Sequence, residues 1–140
     1  MNRKVSVAPM MDCTDRHERF FLRLISKNTL LYTEMIVDEA INRGNKKKLL
    51  EFNISEKPVA LQLGGSSPNL LAEAAKIGED FGYDEINLNL GCPSKKVEKN
   101  KFGACLMKEP NLVADCLNKM QTKTKLPVTI KTRIGYDDVE

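Results

Sequence analysis

Glu85-Ile86-Asn87-Leu88-Asn89-Leu90-Gly91-Cys92-Pro93 alternates apolar and polar residues and stops at a glycine and a proline. A period of two predicts a strand over Glu85 to Leu90, with Ile86, Leu88 and Leu90 on one face and Asn87 and Asn89 on the other. Two further stretches repeat the pattern. In Val59 to Leu63, Ala60 and Gln62 share a face against Val59, Leu61 and Leu63. In Val128 to Arg133, Thr129, Lys131 and Arg133 share a face against Val128 and Ile130. Strands buried on both faces read as nearly continuous Val, Ile and Leu. Here the apolar set suits a helix-covered side, so amides and cations face the other way. A buried amide left unpaired costs about 1–3 kcal/mol. A ligand with many acceptors is the economical reading, and a polar network satisfied internally is the alternative.

Outward from these strands the periodicity keeps alternating. Val5 to Ala8 and Leu30 to Glu34 read as two more strands. Asp15 to Lys27 reads as a helix, opened by an Asp15/Glu18 capping box and carrying Phe20, Phe21, Leu24 and Ile25 on one face. Ile36 to Phe52 is a poorly patterned helical stretch that Gly44 interrupts. Ser67-Pro68 caps a third helix, with Leu70, Ala74, Ile77 and Phe81 inward, and Pro110 starts a fourth, with Leu112, Val113, Cys116, Leu117 and Met120 inward. Strand, helix, strand repeated in this way demands a parallel α/β sheet. The spacing matches the units of a TIM (β/α)8 barrel, and eight such units need roughly 220–250 residues. The 140 residues hold about five. No helix follows the fifth strand, so the pattern predicts a barrel truncated after about five strands.

Composition bounds the function classes. A chain 41% hydrophobic and 29% charged is that of a globular protein, and no run approaches the ~18 apolar residues of a membrane span. The amino-terminal MNRKVSVAPMM is too short in apolar core for a signal peptide. The formal charge of +3 is too mild to demand a polyanion. Four cysteines (Cys13, Cys92, Cys105, Cys116) make no C-x-x-C pair, and one histidine cannot complete a zinc set, so no metal is expected. Free thiols point to a reducing, cytoplasmic setting.

Cys92 directly follows the fourth strand, at the end of the sheet where barrel enzymes place their chemistry. An ordinary thiol, with a pKa near ~8.5, is protonated at neutral pH and serves as a general acid. Nucleophilic work would need a basic neighbour. His17, in the first turn of the first helix, faces the same rim, but a solvated or capping histidine is the plainer reading. Lys95, Lys96, Lys99 and Lys101 follow within ten residues of Cys92. They form either a solvated loop or a set of phosphate contacts. Gln62-Leu63-Gly64-Gly65-Ser66-Ser67 is a strand-to-helix turn with a cap and no dinucleotide fingerprint. Cys116 falls on an apolar helix face and reads as a small hydrophobe, and Cys13 and Cys105 fall on rim loops.

Val7-Ala8-Pro9-Met10-Met11-Asp12, Leu31-Tyr32-Thr33-Glu34-Met35 and Ala60-Leu61-Gln62-Leu63-Gly64-Gly65 form a series with three later segments. These are Asn87-Leu88-Asn89-Leu90-Gly91-Cys92-Pro93-Ser94, Phe102-Gly103-Ala104-Cys105-Leu106-Met107 and Lys131-Thr132-Arg133-Ile134-Gly135. In order, and over the entire chain, they resemble the flavin-dependent tRNA-dihydrouridine synthases, most closely the A-type bacterial branch. The resemblance implies an FMN-binding (β/α)8 barrel followed by a helical tRNA-binding domain, of which residues 1–140 would be the amino-terminal portion, with the later strands and the helical domain absent. It implies NADPH-dependent reduction of a uridine C5–C6 bond in the tRNA D-loop, at positions 20 and 20a. Hydride goes to C6 from reduced flavin, and Cys92 matches the acid that protonates C5.

The same resemblance makes Gln62 and Lys131 flavin-ring ligands and sets Pro9, Met10 and Met11 against the flavin. It makes Asn89 a contact to the uracil and flavin region; Lys95, Lys96 and Arg133 are the candidate contacts to the RNA substrate. A target base inside a folded RNA must leave its stack. Cys13 stands where an aromatic residue is expected. From another class, five parallel strands also suffice for a flavodoxin-like FMN-binding electron-transfer module. That fold wants a Ser/Thr/Gly-rich loop after the first strand, where this chain has Pro9-Met10-Met11-Asp12. A non-catalytic RNA-binding remnant fits poorly with the mild charge. The expected 140-residue product is an inactive fragment.

Overall fold

The computed structural model describes residues 4–137. Met1 to Arg3, part of the amino-terminal reading, and Asp138 to Glu140, after the fifth predicted strand, lie outside the described residues. The elements run β1 (Ser6–Val7), α1 (Arg16–Ile25), β2 (Leu30–Tyr32), β3 (Ile36–Val37), α2 (Asp38–Arg43), α3 (Lys46–Leu50), β4 (Val59–Gly64), α4 (Pro68–Asp80), β5 (Glu85–Leu90), α5 (Lys95–Lys99), α6 (Pro110–Lys123) and β6 (Val128–Thr132). Short 3-10 turns cover Ile54–Glu56 and Gly103–Lys108.

All pairings are parallel, and the main path of the sheet is β1-β2-β4-β5-β6. The strands follow chain order, as in the wall of a (β/α)8 barrel. A flavodoxin-like sheet would place the first strand between the second and third. Here, among the described residues, β1 pairs with β2 alone, which is not the flavodoxin-like order of an electron-transfer module.

Register explains why the polar residues align. Gln62 lies beside Asn87, and Asn87 beside Thr129; one step on, Asn89 lies beside Lys131. The alternate row, Leu61, Ile86 and Val128, faces the helices. Helix α4 starts as expected: Ser67 accepts the Leu70 N–H at 3.5 Å and Pro68 occupies the first turn. Gly78 lets it seat on the sheet, because a Cβ there would come within 2.8 Å of Leu61 and Ile86 side chains. Leu71, Ala74 and Ala75 of α4 and Cys116 and Met120 of α6 close the core over Leu61, Leu63, Ile86 and Leu88. Each such leucine contributes on the order of 2 kcal/mol by burial.

Three expectations need correction. The stretch from Ile36 opens with a short strand, β3, added beside Leu63 and Gly64, before two helices that break at Gly44. The expected capping box on α1 is half formed: Asp15 accepts the N–H groups of His17 and Glu18, and no return bond from Glu18 is made. Its apolar face also points outward. Phe21, Leu24 and Ile25 are 59%, 71% and 69% exposed, while Arg19 and Arg23 are buried. Arg19 Nε meets Glu56 Oε2 at 2.7 Å, and Arg23 donates to the carbonyls of Glu56 and Pro58. The guanidinium pair, not the aromatic pair, docks α1 on the chain entering β4.

Candidate active site

The polar faces of β4, β5 and β6 form one hydrogen-bonded ladder. Gln62 Nε2 donates to Asn87 Oδ1 at 2.8 Å, and Asn87 Nδ2 donates to Thr129 Oγ1 at 2.8 Å. Thr129 donates in turn to Glu85 Oε1, which also accepts the Tyr32 hydroxyl at 3.1 Å. One step nearer the carboxyl ends, Asn89 Nδ2 donates to Gln62 Oε1 at 3.0 Å. The internal network, which the sequence left as the alternative, engages one N–H of each of these amides and leaves the other. Gln62 is only 1% exposed. Each primary amide carries two N–H groups, and one on each of Gln62, Asn87 and Asn89 is not engaged in this ladder.

At the end of the ladder stands Cys92. Asn89 Oδ1 accepts the N–H of Gly91 at 3.1 Å and of Cys92 at 3.0 Å, so one side chain turns the backbone and hands the geometry of the ladder to the thiol. From the other side, the Ala104 N–H donates to the Cys92 carbonyl at 3.0 Å. Gly103 makes this approach possible. Its φ is +75°, and a Cβ would lie 2.7 Å from the Cys92 carbonyl oxygen and 2.5 Å from Val97 Cγ1. Both backbone polar groups of Cys92 are thus held, and the half-buried side chain is left beside open space.

That space is a cavity of about 780 Å³, walled by Met11, Asp12, Met35, Asp38, Gly65, Ser67, Cys92, Lys96 and Phe102 among others. It lies at the carboxyl ends of the strands. Its volume falls in the range of small-molecule sites. Asp12 adopts a left-handed φ of 61° and donates its N–H to Glu34 Oε1 at 2.6 Å, tying the loop after β1 to the segment after β2. A smaller cavity of about 200 Å³ lies on the other side of Cys92, lined by Glu98, Cys105, Arg133 and Tyr136.

The other expected residues fall as follows. Met10 and Met11 are exposed on the rim after β1, and Pro9 is half-buried. The loop they form is tightened by Thr14, whose hydroxyl accepts the Met10 N–H at 3.0 Å. Lys131 and Arg133 are exposed at the end of β6. Lys95 and Lys96 sit on a helix rather than a loop; α5 buries Val97 and leaves its lysines in solvent, with Lys96 at the cavity. His17 is exposed and lines a different cavity, of about 650 Å³, so nothing joins it to Cys92. Burial pushes the Cys116 thiol up to about 11, in keeping with a core residue. Burial likewise raises Cys105, whose Sγ donates to the Phe102 carbonyl at 3.2 Å.

Asp38 was not foreseen. It is 3% exposed, burial raises its pKa, and nothing in its sequence context separates it from an ordinary helix-start carboxylate. Among the described residues no group of three or more His, Cys, Asp or Glu side chains could hold a metal, and no helix is long and apolar enough to cross a membrane.

A chain-ordered parallel α/β sheet with a pinned thiol at its carboxyl rim defines part of a (β/α)8 enzyme barrel. The dihydrouridine synthase (Dus) family matches residues 6–140. A tRNA-dihydrouridine(20/20a) synthase of Synechocystis sp. is 62% identical over 133 residues, which are 95% of this chain and 40% of that protein. Proteins of the same name from Vibrio parahaemolyticus and Escherichia coli K12 are 58% and 59% identical over 96% of this chain. The chain belongs to the dihydrouridine synthase family. It spans about 40% of the length of these curated relatives.

Proposed function

We propose that residues 1–140 form the amino-terminal portion of the catalytic barrel of a tRNA-dihydrouridine synthase, which reduces the C5–C6 bond of a D-loop uridine at position 20 or 20a. The observation that carries this reading is the Asn89–Cys92 arrangement at the strand ends, in a chain about 60% identical to enzymes of that name.

The residues fit FMN. Met10 and Met11 offer exposed apolar surface after β1, Gln62 and Asn89 each hold an amide N–H outside the ladder, and the exposed Lys131 supplies a cation for an anionic ring. When bound, FMN reduced by NADPH supplies the hydride for C6 of the uracil. Cys92 Sγ–H donates the proton to C5, and Asn89 keeps that thiol in register with the strand ends. The cavity beside Cys92 takes the unstacked base. Lys95, Lys96 and Arg133, all exposed at the rim, pair with tRNA phosphates. The work is that of a cytoplasmic enzyme on tRNA.

By itself the 140-residue chain binds FMN weakly and turns over little. Ile130 in β6, Val5 just before β1, Ile134 just after β6 and the apolar face of α1 stand in solvent, a surface prone to association. The test is reduction of an unmodified tRNA transcript by a protein that continues this chain to the length of its relatives. A mass gain of two hydrogens in the D-loop fragment is expected; no gain with FMN and NADPH present contradicts the reading.

A further inference from the structure

The cavity beside Cys92 has a mixed lining. The segment around α5 brings Lys96 and Asn100 to it; the loop after β1 and the start of α2 bring Asp12, Asp38 and Glu39. Glu39 is paired with Arg43 at 3.8 Å, which leaves Asp12 and Asp38 against Lys96; this lining suits a neutral group that donates hydrogen bonds better than a phosphate. Asp38 is the residue built for that task. It starts α2 directly after β3, and its Oδ1 accepts the Glu39 N–H at 2.7 Å. Its Oδ2 is buried and has no hydrogen-bond partner. Room for this carboxyl exists only because residue 65 is glycine: a Cβ there would lie 2.3 Å from Asp38 Oδ2. A buried carboxyl with an empty acceptor is costly unless something fills it.

We propose that this cavity is a nucleoside subsite in which Asp38 accepts a hydrogen bond from the donor side of the nucleoside, either a ribose hydroxyl or the N3–H of uracil. The subsite rests on the uridine-reduction reading above and adds to it a residue that discriminates between nucleosides. The cavity volume suits one nucleoside, and Met11, Met35 and Phe102 provide apolar surface for a flat ring. Charge places the phosphates outside, along the lysines of α5. A donor on Asp38 distinguishes RNA from a 2′-deoxy strand if the ribose supplies it, and uracil from an N3-blocked base if the ring does.

The test is a titration of a 15N-labelled protein that continues this chain to the length of its relatives with uridine, 2′-deoxyuridine and N3-methyluridine, read by amide shifts at Glu39, Gly65 and Cys92. Uridine is expected to shift all three, and one of the two analogues to bind about tenfold more weakly, the loss of one hydrogen bond to a charged acceptor. Asp38→Asn keeps the Oδ1 cap and turns Oδ2 into a donor; it is expected to weaken uridine about tenfold and to erase the difference between the analogues. Should that variant not fold, the analogue series in the wild-type chain decides. Equal binding of all three nucleosides, or unchanged uridine binding by Asp38→Asn with Cys92 still shifting, overturns the role of Asp38 and leaves the uridine reading standing. No shift at Cys92 or Gly65 with any nucleoside overturns both.

Discussion

Asn89 Oδ1 holds the Cys92 N–H at 3.0 Å, and the amide nitrogen of the same side chain donates to Gln62 in the ladder. A polar row inside the sheet and a thiol at its rim are thereby one structure. Replacing Asn89 with Leu leaves the N–H groups of Gly91 and Cys92 and the Gln62 oxygen without partners, at on the order of 1–3 kcal/mol for each group that water cannot reach. Asn89→Asp keeps the acceptor and loses only the donor. Urea unfolding is expected to rank wild type above Asp and Asp above Leu; equal stability of the two variants contradicts the arrangement.

Gly103 holds the opposite side of the same turn. Gly103→Ala meets a φ of +75° and two contacts under 3 Å, one of them the Cys92 carbonyl. A loss of about 1–3 kcal/mol is expected. The amide signals of Cys92 and Ala104 should move farthest in the spectrum of the variant. A neutral substitution would mean that the segment after α5 does not clamp Cys92.

Arg19 and Glu56 form a buried pair at 2.7 Å, and Glu56 also accepts the Asn53 N–H. Arg19→Met strands the carboxylate and is expected to cost about 3–5 kcal/mol in thermal or urea unfolding. Phe21→Ser on the exposed face of α1 should cost little and should reduce self-association measured by sedimentation. The reverse order would restore the expectation that the aromatic face is the core face.

That expectation failed for a physical reason. Periodicity identifies a face, and Phe20, Phe21, Leu24 and Ile25 do share one; it does not name what packs against it. Arg19 and Arg23 each reach one nearby carbonyl, of Thr14 and Ser26, but the contacts that dock α1, to Glu56 and Pro58, lie 33 to 37 residues away in sequence, beyond any local pattern. The ladder was legible because Gln62, Asn87, Asn89 and Thr129 alternate in phase with their strands, although its satisfaction by internal bonds required the register. Cys92 was legible from its place after β5. Asp38 was not, because β3 and the close approach of Gly65 create its environment.

Burial raises the Asp38 pKa above the ordinary carboxylate value of 3.8. The folded chain then binds that proton more tightly than the unfolded chain. The contribution of Asp38 to stability is full below the ordinary value and is lost as pH rises through the raised one. Relative to Asp38→Asn, the wild-type chain should therefore lose stability as pH climbs above about 4. Parallel pH profiles of the urea midpoint for the two proteins would contradict this.

The thiols give a separate check on burial. Iodoacetamide at pH 8 reacts with thiolate, so exposed Cys13 should be labelled early, and Cys116, buried and pushed up to about 11, only on unfolding. Peptide mass spectrometry across a time course reads the order directly. Labelling of Cys116 at the rate of Cys13 would mean the core between α4 and α6 is open.

The central claim is that Cys92 is the proton donor, and the two half-reactions test it most directly. In a protein that continues this chain to the length of its relatives, Cys92→Ala is compared with wild type for FMN-dependent NADPH oxidation and for dihydrouridine formed in tRNA. NADPH oxidation should stay within about twofold of wild type while uridine reduction falls at least 100-fold, the scale of a lost general acid. Equal loss of both half-reactions, or uridine reduction at the wild-type rate, would contradict the account.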